Sequence, residues 1–240
     1  MAEQEVRRSS PEPGPWDATY RSGTAPWDVG HPQSVFIRLA DEGAIASPVL
    51  DSGCGTGEHA LYFASRGIDA VGVDFSPVAI EAARAKAAER GLGAEFIVHN
   101  VLELASLEQQ FQSVVDSGAF HVFTAAGDVA RYVEGLRAVL APAGALHLLC
   151  FSDAQAGDAG PRRVSEADLR AAFADGWTVE SIEPATFEVN PPIGPAKAWL
   201  ARIVRLEGEA KPRSSRRRRP NPATCAGSRP STSRASAGRD

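Results

Sequence analysis

Three glycines on alternate positions, Gly53, Gly55 and Gly57, follow the acidic residue Asp51 in the stretch VLDSGCGTGEHA. Glycine gives up more backbone freedom on ordering than any other residue, so a cluster of them marks close approach of the backbone to something else. A dinucleotide loop reads GxGxxG and turns a helix N-terminus toward a pyrophosphate. Here Glu58 stands where the last glycine would fall. Asp51 and Glu58 place negative charge where a polyanion would lie, which suits a ligand with a positive or ammonium group instead. Asp74 ends a second apolar run, where a carboxylate can accept from both ribose hydroxyls. Asn100 ends a third, where an amide can read an adenine edge. Asp116 ends a fourth on the same side. Together they describe a nucleoside carrying a cationic, amino-acid-like arm, and S-adenosyl-L-methionine meets those requirements.

These residues need a scaffold that delivers them to one edge. From Pro48 onward apolar runs alternate with segments of helical spacing. VLDSG, DAVGVDF, EFIVHN, FQSVVDSG and ALHLLCFS read as strands. GEHALYFASRG, PVAIEAARAKAAERG and DVARYVEGLRAVLAPAG read as helices, the last stopped by Pro142 and Gly144. Ser76 is a favoured N-cap before Pro77, and Ser165 with Asp168 has capping-box spacing before a further helix. WTVESIEPATFE and KAWLARIVRL close the body as an antiparallel pair. The expected fold is α/β, Rossmann-like: a seven-stranded, mostly parallel sheet with helices on both faces and an antiparallel final strand. Ligands bind such sheets at the carboxyl ends of the strands. Residues 1–15 and 207–240 read as disordered, and 16–206 as one domain whose first part, 16–47, is a helical or lid segment.

The series VLDSGCGTGEHA, AVGVDFSPVAIEAAR, FIVHN and VVDSGAFHVF resembles the class I S-adenosylmethionine-dependent methyltransferases over roughly residues 35–206. The resemblance implies that Asp51, Gly53, Gly55 and Gly57, with Cys54 in the same loop, line the methionine arm. It implies that Asp74 holds the ribose, and that Phe75 flanks the adenine with Asn100 and Val101 at its edge. The family often has Asp where this chain has Asn100. The N-terminal WDATYRSGTAPWDVGHPQ resembles the entry segment of thiopurine S-methyltransferase-like enzymes, whose relatives act on thiols, halides, tellurite and small aromatic compounds. On that resemblance Trp27 contacts the cofactor, and Trp16 and Tyr20 are lid or substrate-side residues.

A thiolate acceptor needs no strong base, whereas a hydroxyl acceptor benefits from one; the candidates are His121 and, behind it, Asp116. Phe120 and Phe123 read as core or as a substrate platform. Arg162 and Arg163 read as a solvated loop or as a binding site for an anionic substrate. Arg131 and Tyr132 are weaker substrate-side candidates. His31, His59, His99 and His147 show no ligand spacing and receive no role, and no metal is expected. Cys54 reads as a small packing residue.

The net charge is −5, but nine of the 25 Lys/Arg and only three of the 30 Asp/Glu fall at 207–240, which leaves the first 206 residues near −11. An acidic body argues against nucleic acid or an anionic membrane as its partner and leaves a small molecule. The run of arginines at 216–219 reads as a targeting or nucleic-acid patch or as an extension without function. Three scattered cysteines, no secretory signal and no membrane-length apolar run predict a cytoplasmic protein. Oligomeric state is not written in these residues. Two alternatives remain: a nicotinamide-dependent oxidoreductase, disfavoured by Asp51, Glu58 and the broken GxGxxG, and a catalytically silent cofactor-binding module, against which the intact motifs argue.

Overall fold

Seven strands and six α-helices are described by the computed structural model, which covers residues 13–157 and 160–207. In chain order they are α1 (Pro13–Arg21), α2 (Ser34–Asp41), β1 (Val49–Ser52), α3 (Glu58–Ser65), β2 (Ala70–Asp74), α4 (Pro77–Arg90) and β3 (Glu95–Val98). Then follow β4 (Phe111–Ser117), α5 (Ala126–Val139), β5 (Leu140–Phe151), α6 (Glu166–Ala172), β6 (Trp177–Phe187) and β7 (Ala196–Arg205). The sheet order is β3-β2-β1-β4-β5-β7-β6. Strands β1 to β5 run parallel to one another, and β7 lies antiparallel between β5 and β6. This is the expected seven-stranded architecture. From β1 the chain moves outward through β2 and β3 and then returns to β4, so the strand order reverses between β1 and β4. The ligand crevice of such sheets opens there.

Strand β1 is buried throughout and alternates its side chains between two apolar layers. Leu50, with Val114, Leu146 and Leu148, packs beneath α5 and α6 against Tyr132, Leu136 and Leu169. Val49, with Val115 and Leu149, packs against Phe36 of α2 and Leu61 and Phe63 of α3. Helix α4 starts where expected: the Ser76 hydroxyl accepts from Ala79 N–H, Pro77 occupies the first turn, and Gly91 ends the helix at φ 62°. Helix α6 carries the capping box of Ser165 and Asp168.

Two boundaries differ from the sequence reading. Helix α1 begins at Pro13, inside the segment read as disordered; proline suits a first helical turn. Helix α5 ends at Val139, before Pro142 and Gly144, and those two residues lie in an irregular start of β5. There Ala143 has φ 61°, and a Cβ on Gly144 would stand 2.8 Å from Ala141 O. A close backbone approach, and not helix termination, is what that glycine serves. Residues 1–12 and 208–240, with the arginine run, lie outside the described residues.

Candidate active site

The glycine loop is held by backbone donors aimed at β2. Gly53 and Cys54 N–H both donate to Val73 O at 2.9 Å, and Gly55 N–H donates to Asp74 Oδ2 at 2.9 Å. Ser76 N–H donates to Asp74 Oδ1 at 2.9 Å. Asp74 therefore organises the loop as well as facing the crevice, and its burial pushes the carboxyl up against those two hydrogen bonds. Gly53, Gly55 and Gly57 have φ of 76°, 53° and 87°, a region that side-chain-bearing residues rarely enter. Cys54 is buried, and its thiol is pushed up by burial, which fits packing and not reactivity.

Asp51, at the end of β1, is buried, and neither carboxylate oxygen has a hydrogen-bond partner among the described residues. Burial is the main reason its pKa rises to about 8, and the nearby Asp74 and Asp116 push the same way. The Ala60 N–H in α3 favours the anion without closing a full hydrogen bond. A buried carboxylate without donors is costly and calls for an explanation. A cationic ligand arm supplies one.

Glu58 does not share that role. Lys86 Nζ approaches Oε1 at 2.7 Å, and Arg90 donates to both oxygens at 2.9 and 3.1 Å. Burial pushes Glu58 up, but these partners outweigh it and hold the carboxyl below its ordinary value. Its charge is neutralised by α4, and among Asp51, Glu58 and Asp74 only Asp51 has no hydrogen-bond partner among the described residues.

Aromatic residues close over the loop. Trp16 lies edge-on to Trp27 (5.1 Å between centroids) and to Phe75 (6.4 Å). Trp27 Nε1–H donates to the Tyr20 hydroxyl at 3.0 Å. That hydroxyl stands 2.9 Å from where a Cβ on Gly55 would be, and burial holds the phenol protonated. The lid is anchored on several sides. Ser76 Oγ hydrogen-bonds Asp17. Asp28 accepts from Thr56 Oγ1 at 2.9 Å, and Lys86 Nζ donates to that same oxygen at 2.8 Å. Asn190 binds Asp28 O and Pro26 O, each at 2.8 Å. The Gln33 amide pairs with both backbone groups of Glu188 at 2.7 and 2.9 Å.

Beyond β4 the candidates separate. Asp116 is fully buried and accepts from Ala119 N–H, Phe120 N–H and Tyr132 Oη at 2.7, 3.0 and 2.8 Å. Burial raises it to about 7 against those bonds. It anchors its own loop through these three donors. Tyr132 also bonds Ser52 Oγ at 2.9 Å and is core. Phe120 is fully buried against Phe173 and is core, not a substrate platform. The Phe151 N–H donates to His121 Nδ1 at 3.1 Å, and the ring packs between Phe151 and Phe187. Burial first, then Arg162 and Arg163, push its pKa down to about 3. The neutral ring carries its proton on Nε2, so with Nδ1 already accepting, His121 is a donor and not a base.

Arg162 lies 5.5 Å over the Phe120 ring with its Nε buried and unpaired among the described residues. Arg163 stacks on Phe151 at 5.4 Å and donates to the carbonyls of Gln155, Gly157 and Pro161. Asn100 Oδ1 accepts from Leu102 N–H at 3.0 Å and caps the 3-10 turn starting at Val101. One of its lone pairs is thereby used, and its amide N–H groups remain for a ligand edge.

The family model of the methyltransferase domain matches residues 49–144. A 2-heptyl-1-hydroxyquinolin-4(1H)-one methyltransferase of Mycobacteroides abscessus is 36% identical over 168 residues, covering 69% of this chain and 74% of that protein. The chain belongs to the S-adenosylmethionine-dependent methyltransferases. A solved structure concerned with conversion of a disulfide bond into a thioacetal group during echinomycin biosynthesis is 36% identical, with TM-score 0.75, covering 82% of this methyltransferase and 94% of that chain. The 1,6-didemethyltoxoflavin-N1-methyltransferase of Burkholderia thailandensis, solved with S-adenosylhomocysteine, shares the fold at 20% identity and TM-score 0.63, over 81% and 87% of the two chains. S-Adenosyl-L-methionine is the cofactor, and the unpaired Asp51 fits its ammonium.

The methyltransferase brings Trp16, Tyr20, Trp27 and Phe75 together beside the glycine loop, and Asp74 bonds that loop at the end of the strand next to Asp51. It also uses residues the sequence reading gave no role. Thr56, Lys86 and Asp28 join the loop to the lid, and His59 Nδ1 lies 3.8 Å from Asp51 Oδ2. No spacing signal marks them, because each contact joins segments that meet only after folding.

Proposed function

We propose that this methyltransferase acts in the cytosol on a small aromatic hydroxyl or thiol that reaches the site already ionised. The observation that carries the reading is His121: with Nδ1 accepting from Phe151 N–H, it has no lone pair for a proton. Asp116 is equally committed, so neither candidate base serves an acceptor. Arg162, Arg163 and the His121 Nε2–H give that side of the crevice a positive potential suited to an oxyanion or thiolate. The relative's hydroxyquinolinone acceptor has this chemistry. The Trp-Asp segment packed on the glycine loop supports the thiopurine S-methyltransferase-like subgroup.

The cofactor supplies a methyl group on a sulfonium, and transfer is an in-line displacement that leaves the protein to align donor and acceptor. Alignment contributes on the order of 7–11 kcal/mol, and aromatic faces near a sulfonium about 0.5–2 kcal/mol. Trp16, Tyr20 and Trp27 exclude water and narrow the entry, while Asp51 and Asp74 hold the two polar ends of the cofactor.

The test is a panel of phenols, N-hydroxy heterocycles, thiols and halide with S-adenosylhomocysteine release as the readout, preceded by calorimetry with S-adenosylhomocysteine and NAD. Expected are turnover of ionisable aromatic hydroxyls or thiols and a pH–rate break that moves with the acceptor's own pKa. A break fixed at one pH for all acceptors would mean a side-chain base. Cofactor binding with no turnover would favour the silent module, and NAD binding alone the oxidoreductase.

A further inference from the structure

His59 stands in the first turn of α3, edge-on to Phe36 with ring centroids 4.9 Å apart, and its side chain is 12% exposed. Its two nitrogens meet different partners. The Gln33 N–H donates to Nε2 at 3.1 Å, which makes Nε2 an acceptor. Burial pushes the imidazole down to about 4, with Glu58 and His31 as the charged neighbours, so the ring is neutral at ordinary pH. Its one proton is then on Nδ1, and Nδ1 faces Asp51 Oδ2 at 3.8 Å. That separation is longer than a hydrogen bond, by less than about 1 Å. A buried donor thus confronts a buried carboxylate whose oxygens are otherwise unpartnered among the described residues.

The geometry points to His59 as a positioning residue for the cofactor: its Nδ1 faces Asp51 Oδ2 at 3.8 Å, and closing that gap to a hydrogen bond on cofactor binding would leave Oδ1 for the ammonium of the methionine arm. This rests on the reading that Asp51 faces that arm. The tautomer is set from the lid, because Gln33 both donates to His59 and clamps Glu188 beyond β6. With Gln33 displaced, Nε2 would lose its donor, and the ring could turn a lone pair toward Asp51. Seating of the lid segment and orientation of Asp51 are therefore one event. Asp51 also sees Asp74, Asp116 and the Ala60 N–H, none of which belongs to the lid.

Calorimetry with S-adenosylhomocysteine on the full chain tests this with three variants. His59→Phe keeps a ring against Phe36 but no donor, and should bind about tenfold or more weakly. His59→Asn places an amide N–H near the position of Nδ1 and should recover most of the affinity. His59→Gln places its amide near Nε2 and should remain weak. The pH midpoint of cofactor binding should rise in His59→Phe, because the Asp51 carboxylate loses a donor; a packing role would leave it in place. Equal affinities in all variants, or the same loss in all three, would overturn the assignment. If His59→Phe fails to fold, the contrast between Asn and Gln decides it. Wild-type protein that does not bind S-adenosylhomocysteine would instead sink the cofactor reading, and this inference with it.

Discussion

Asp51 and Glu58 are both acidic and lie seven positions apart, yet only Glu58 is paired. Asp51 is delivered by the end of β1 to a place where neither oxygen closes a hydrogen bond among the described residues, while Glu58 is paired with Lys86 and Arg90 on α4. The first outcome follows from strand periodicity. The second depends on partners 28 and 32 positions away, which no local pattern reveals. The same limit hid the commitment of His121 to the Phe151 N–H, 30 positions away. Asp51 carries a consequence for binding. Its empty-site pKa is about 8, so at lower pH the carboxyl is largely protonated. An ammonium favours the carboxylate, so binding releases a proton there. S-Adenosylhomocysteine affinity should rise with pH by up to about tenfold per unit and level off above about 8. Titrations in two buffers of different ionisation enthalpy measure both affinity and proton release. Flat affinity with no proton release would separate Asp51 from the ammonium.

At the scale of elements, the strands and helices around the glycine loop were readable because each carries its own punctuation: Ser76 and Pro77 before α4, Gly91 after it, Ser165 and Asp168 at α6. The start of β5 was not, because Gly144 answers to a neighbouring carbonyl and not to the helix before it. The start of helix α1 at Pro13 was not readable because the helix docks Trp16, Asp17 and Tyr20 beside the loop and few apolar repeats mark it. Gly57 shows how tightly these elements are joined. It caps α3 at φ 87°, and a Cβ there would stand 2.6 Å from the Phe96 ring of β3 and 2.9 Å from Ala83 of α4. Gly57→Ala combines backbone strain with overpacking and should destabilise the fold by on the order of 2–4 kcal/mol. Denaturant unfolding measures this. In a Phe96→Ala background the additional cost should shrink, and full additivity of the two changes would place the strain elsewhere.

Across the whole molecule, charge divides along the carboxyl edge of the sheet. Asp51 and Asp74 stand toward β1 and β2, and Arg162, Arg163 and the His121 ring toward β4 and β5. Holding such groups in a buried crevice without ligand has a cost that pH exposes. Burial lowers His59, His121 and His147 to about 4, 3 and 4, so the folded chain binds fewer protons than the unfolded one from there up to the ordinary 6.5. Their contribution to stability is lost as pH falls through that window. Burial raises Asp116 to about 7 and Asp51 to about 8 from an ordinary 3.8, so the folded chain binds more protons there, and stability is lost as pH rises toward those values. Between about 4 and 6.5 the two sets oppose one another. Above 6.5 only the carboxylates still titrate, so ligand-free protein should lose thermal stability between about pH 6.5 and 8. Saturating S-adenosylhomocysteine should flatten that fall, since its ammonium stabilises the Asp51 anion while Asp116 keeps its own contribution. Melting curves with and without the ligand across this range provide the comparison. A ligand-free melting temperature that climbs from pH 6.5 to 8 would mean that Asp51 and Asp116 are ionised and compensated in the empty fold, and that the crevice is not poised for a cation.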